Sequence, residues 1–208
     1  MCWSAQADTV AGVVVGAIGI VCLASVTSVR QLPLAALPLL LGVHQLLEAA
    51  VWSGAAWART PWVVVALPLL PVWVPGGVWA ATGRRRAAAF TVVGLAVAVP
   101  LTVAVAARRI GVHPQGHTLG YAIGVPFAPL LLAGYLLATV GALVSSGDRG
   151  LRLLGWLVGV GAVVCGLLWR LAFVSTWCAL AAVASVVLLW WVRGGSAAPV
   201  MGGRPTGG

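Results

Sequence analysis

The 208-residue chain contains no lysine: all twelve basic side chains are arginine, set against three acids, Asp8, Glu48 and Asp148. Without lysine no retinal Schiff base can form, so a retinal partner is excluded, and so is a phosphate-binding loop of the GxxxxGKS/T type. Charge of either sign is scarce. Charged residues make up 7% of the chain and hydrophobic ones 62%, where a soluble domain carries about 25% charged residues. That excludes a water-soluble fold, and a mean hydropathy of +1.08 names the bilayer as the solvent. The net charge of +9 does not imply nucleic acid, because the arginines stand singly or in short runs between apolar stretches instead of covering one soluble face. They read as topology signals.

Apolar sequence is what the chain has in abundance. A helix must rise through about 30 Å of hydrocarbon at about 1.5 Å per residue, which takes about 20 residues. Seven stretches qualify: Thr9 to Val29, Leu32 to Trp52, Trp62 to Thr82, Ala87 to Ala107, Thr118 to Val144, Leu151 to Leu168 and Ser175 to Val192. The expected fold is therefore all-α, an integral membrane bundle of seven transmembrane helices over residues 1–193, in the cell membrane. Six spans are the alternative, since the run from Leu153 to Val192 is cut mainly by Arg170 and by Ser175, a helix-starting residue type.

Arginine sets the orientation, because basic loops are retained in the cytoplasm. Arg59, Arg108, Arg109 and Arg170 fall on the N-terminal side, and Arg30, Arg84, Arg85, Arg86, Arg149, Arg152, Arg193 and Arg204 on the other. The expectation is N-terminus out, C-terminus in. The first eight residues lack the basic stretch of a cleaved signal peptide, so the first apolar segment is retained. Trp52, Trp57, Trp62 and Trp169 fall at outer ends and Trp79, Trp190 and Trp191 at inner ends, as interfacial indoles do. Residues 194–208, rich in Gly, Pro and Ser, read as a disordered cytoplasmic tail.

Small-residue spacings at Gly12/Gly16, Gly120/Gly124 and Gly155/Gly159 predict close helix packing in lipid. Pro68, Pro71 and Pro75 must disturb the third span and free carbonyls that need partners from neighbouring helices, side chains or water. The break is either a kink or the wall of a polar cavity. The strongly polar positions well inside a predicted span are His44 and Glu48, four residues apart on one face with Gln45 close by. A charged carboxylate there costs about 2.5 to 3.5 kcal/mol, so Glu48 is expected to face the bundle interior or to be protonated. His113 and His117 flank a Pro-Gln-Gly turn in an outer loop, a weak metal-binding pattern, with Tyr121 one turn beyond. Cys22 and Cys165 sit in apolar surroundings, whereas Cys2 and Cys178 are placed at the outer level. A disulfide, metal ligation, nucleophilic use and an inert thiol all stay open for that outer pair.

Five stretches, MCWSA, LPLAALPLLLGVHQLLEAAVW, LPVWVP, GHTLGY and FVSTWCALAAVAS, resemble an uncharacterised bacterial family of short multi-pass membrane proteins that open Met-Cys-Phe/Trp-Ser-Ala. The resemblance extends to about Arg193 and rests on Cys2, Ser4, Gln45, Glu48, Trp73, Pro75, His117, Tyr121, Ser175, Trp177 and Cys178. It implies the multi-pass architecture and carries no activity or cofactor; His44 and His113 are less characteristic of the family than His117.

The functional expectation is a small-ligand or interaction site in the outer half of the bundle. It would be built from Glu48, Gln45, His44, His117, Tyr121 and Trp177 with Cys2 and Cys178 beside them, and the bilayer, a protein partner or a second copy would be its surroundings. One alternative is a proton-coupled carrier that uses Glu48 beside the Pro-broken third span. The other is a membrane-embedded metal-dependent hydrolase of the ceramidase kind, from which the sequence departs because no Asp lies inside a predicted span.

Overall fold

The computed structural model describes residues 5–107, 110–115, 118–123, 127–167 and 173–195, with backbone alone for 110–115, 118–123, 165–167, 173–179 and 195. These residues form α1 (Ala5–Ala24), α2 (Val29–Trp52), α3 (Ala56–Thr82), α4 (Arg85–Ala106), a hairpin of β1 (Ile110–Gln115) and β2 (Thr118–Ile123), α5 (Ala128–Val144), α6 (Arg149–Leu167) and α7 (Phe173–Trp190). A wider π turn, Trp191–Gly195, closes α7. Helices α1 to α4 are long and apolar enough to cross a membrane, while α5 and the Leu180–Gly194 portion at the end of α7 are shorter apolar helices.

Local chemistry sets the boundaries. Ser28 accepts from the Arg30 N–H to open α2, and Pro38, which has no N–H to continue the ladder, interrupts α2 at Ala36 before Leu37–Trp52 resumes. Gly83, at φ 65°, ends α3 in the left-handed conformation that L side chains disfavour. The Asp148 carboxylate accepts from the Leu151 N–H at 3.0 Å and caps α6.

In lipid, apolar burial does not drive helices together, so packing must come from close backbone approach. Helices α1 and α2 show it most fully. A side chain at Gly19 would meet the Leu39 backbone, one at Gly42 would come 2.5 Å from the Gly16 nitrogen, and one at Gly12 would lie 2.8 Å from Leu46 Cγ. The helices are thus antiparallel in one continuous register. Gly155 lies against Leu143 and Val144 of α5, and Gly159 against Val140, so two of the three small-residue spacings are packing faces. In the third, Gly120 lies in β2 and Gly124 outside the described residues. Toward the Arg-rich end, Cys22, Leu34, Val78, Leu151 and Leu188 form the main core; Cys22 is a buried thiol, as its apolar surroundings suggest.

Several boundaries differ from expectation. The fifth helix begins at Ala128, not Thr118, because Thr118–Ile123 pairs antiparallel with Ile110–Gln115. In the sequence the two paired runs are separated by Gly and one further residue, which is a hairpin signal. The first helix begins at Ala5, which puts Asp8 inside it. The third begins at Ala56, so Trp62 is a fully buried core residue instead of an interfacial one, and Trp191 is likewise buried. Trp57, Trp79 and Trp190 are exposed, as interfacial indoles should be. The long run after Leu153 divides into α6 and α7. Residues 196–208, most of the expected tail, lie outside the described residues.

Candidate functional site: a carboxyl pair between the first two helices

The α1–α2 register determines the site. Continued past Gly12 and Leu46, it brings Asp8 level with Ala50, between Glu48 and Trp52. Asp8 is 0% exposed and Glu48 2%, and the two carboxyls are near enough for their charges to act on one another, with the Trp52 indole beside Asp8. Gln45, 3% exposed, lies one turn below Glu48 on the same buried face of α2. His44 completes the group on its α3 side. Its ring stacks on Trp62 with centroids 6.0 Å apart and planes 5° from parallel, and its Nδ1 is buried with no hydrogen-bond partner among the described residues.

Glu48 therefore faces the bundle interior, as the cost of lipid exposure requires. Of the other expected site residues, Gln45 and His44 join it. Tyr121 stands in β2 opposite Val112, not in the first turn of a fifth helix as expected, and His113 stands in β1 opposite Gly120. Cys2 and His117 lie outside the described residues, as do the side chains of Tyr121, Trp177 and Cys178. Asp8 is the residue the sequence reading missed. The expectation that no Asp lies inside a span is corrected, because α1 starts a turn earlier than its hydropathy suggested. Among the described residues no three His, Cys, Asp or Glu side chains converge as a metal site would need.

The proline break in α3 takes the form of a π turn, Val65–Leu69. In that register the Ala66 carbonyl would be met by the N–H of residue 71, and residue 71 is a proline. Tyr135 of α5 donates its hydroxyl to that carbonyl at 3.0 Å, so a neighbouring helix supplies the missing partner. A cavity of about 110 Å³ lies beside the break, walled by Leu41, Leu70, Val74, Tyr135, Thr139 and Leu154 among others. Its lining is nearly all apolar. The polar-cavity reading of the prolines is not what this wall provides, and the break is a kink satisfied from α5.

No curated protein and no solved structure matches the chain. A family model described as Family of unknown function (DUF6629) matches residues 1–202. The chain belongs to that uncharacterised family.

Proposed function

We propose that the protein is a multi-pass membrane protein of seven spans, N-terminus out and C-terminus in, whose outer half holds a proton- and small-ligand-binding site centred on Asp8 and Glu48. Proton-coupled solute movement is the activity that such a site serves. The observation that carries this reading is the burial of two carboxyls, Asp8 and Glu48, where α1 packs against α2. Two carboxylates buried in the same low-dielectric layer repel one another and lose their hydration, which favours a shared proton that the pair can take up and release. The eight-to-four arginine distribution supports the orientation. The π turns in α3 and α5 lie deeper in the bundle, and such turns often mark functional sites and hinges.

The test is proton uptake by the purified protein in weakly buffered detergent solution, followed with an indicator dye after an acid step. The difference between wild type and the Asp8→Asn/Glu48→Gln double variant isolates the pair from the histidines. Wild type is expected to take up one proton per chain more than the double variant. Equal uptake by the two proteins would reject the proposal.

A further inference from the structure

At the opposite, Arg-rich end of the bundle a groove of about 450 Å³ runs between the end of α1, the start of α2 and α3. That volume falls within the about 300–1,000 Å³ of small-molecule sites. Leu23, Leu32, Ala36, Val72, Trp73 and Gly76 line it, and nearly all the lining is apolar. Three features shape it. Leu32 and Ala36, at the start of α2 and at its interruption, form one wall. The indole N–H of Trp73 is spent on the Pro33 carbonyl at 2.8 Å, so the ring presents hydrocarbon to the groove. Gly76 has no side chain to fill the space, since a Cβ built there meets nothing nearer than Thr91 Cγ2 at 4.0 Å.

The charge at this end is lopsided. Arg30, Arg84, Arg85, Arg86, Arg149, Arg152 and Arg193 are all exposed. The other acidic side chains, Asp8 and Glu48, lie at the far end, so among the described residues the acidic side chain at this end is Asp148, and it is engaged in capping α6. Arg30 stands two residues from Leu32, beyond the groove's Arg-rich end, on a turn that packs against α3. Exposed Trp79 lies one turn beyond Gly76 on α3, the depth at which indoles meet headgroups. A hydrocarbon slot near an end where arginines outnumber acidic side chains, next to an interfacial tryptophan, has the chemistry of one molecule with an apolar tail and an anionic head.

We infer that this groove is a binding site for an anionic phospholipid, its acyl chain along Trp73 and Gly76 and its phosphate on Arg30, with the neighbouring arginines favouring a net negative headgroup. The site is separate from the carboxyl pair but rests on the membrane reading.

Native mass spectrometry of the detergent-purified protein tests it, with phosphatidylglycerol or phosphatidylcholine of identical acyl chains added at equal concentration. Wild type is expected to retain phosphatidylglycerol preferentially. Arg30→Gln should reduce that preference about fivefold, the effect of one basic side chain at an anionic surface. Gly76→Leu, which adds a side chain at a lining position where a Cβ meets nothing nearer than 4.0 Å, should lose both adducts while keeping the wild-type circular dichroism and melting temperature. Equal retention of the two lipids by wild type, or full retention by a folded Gly76→Leu variant, would overturn the site. If the wild-type protein instead fractionates away from membranes, the membrane reading fails first.

Discussion

Replacing Tyr135 with Phe tests how the third helix tolerates its prolines. The substitution removes one oxygen and leaves the ring, so packing changes little. It takes the donor from the Ala66 carbonyl, 3.0 Å away, and Pro71 offers no N–H in its place. An acceptor left unsatisfied away from water costs about 1–3 kcal/mol, and this carbonyl is part-buried in an apolar bundle. The expected loss of stability is therefore about 1–3 kcal/mol, measured by denaturant unfolding in mixed micelles. The argument has a sharper form. Pro71→Ala returns an N–H to the chain, so the same Tyr135→Phe change in that background should cost less, with a coupling of at least about 0.5 kcal/mol, as expected of groups that share one partner. A Tyr135→Phe variant as stable as wild type, or a cost that is the same with and without Pro71, would refute the reasoning.

Other consequences follow from the same packing. Gly16→Ala should be neutral or stabilising by up to about 1 kcal/mol, because a Cβ there meets nothing within 4 Å and Ala is the better helix former, whereas Gly19→Ala drives into the Leu39 backbone and should destabilise measurably. Paired melting curves of the two variants check this, and a reversed order contradicts the α1–α2 register. Asp148→Ala should cost about 0.5–2 kcal/mol through loss of the α6 cap, with Asp148→Asn retaining most of it, as thermal unfolding of the three proteins would show. A fluorescent protein that matures only in the cytoplasm, fused after Gly208, should be bright in cells; a well-expressed dark fusion would reverse the orientation.

Much of the helical plan is legible in hydropathy alone, because in lipid a helix satisfies its own backbone and little else can. The ends are less so. Hydropathy placed the first span at Thr9 because Asp8 is charged, yet the α1 face that carries Gly12, Val15, Gly19 and Cys22 continues to Asp8, and all five are buried. Setting those glycines against Gly42 in an antiparallel register brings Asp8 level with Ala50, between Glu48 and Trp52. Glu48 and Gln45 were legible because polarity inside a span is costly wherever it occurs. Trp62 misled, since an indole near a span end is interfacial only if its helix starts there, and α3 starts two turns earlier. The hairpin was lost to the apolar content of Thr118–Ile123, which hides a strand inside an apparent span. The groove beside the break in α2 could not be read from composition, because it depends on how Trp73 of α3 meets the Pro33 carbonyl of α2 across helices.

Infrared absorption spectra recorded in mildly acidic and in mildly alkaline buffer test the carboxyl pair most directly. In the wild type reconstituted in lipid, a protonated-carboxyl C=O band should persist into the mildly alkaline buffer, because one of the two buried groups keeps its proton, and it should vanish in the Asp8→Asn/Glu48→Gln variant. A wild type with no such band, or a band that survives in the double variant, would contradict the account.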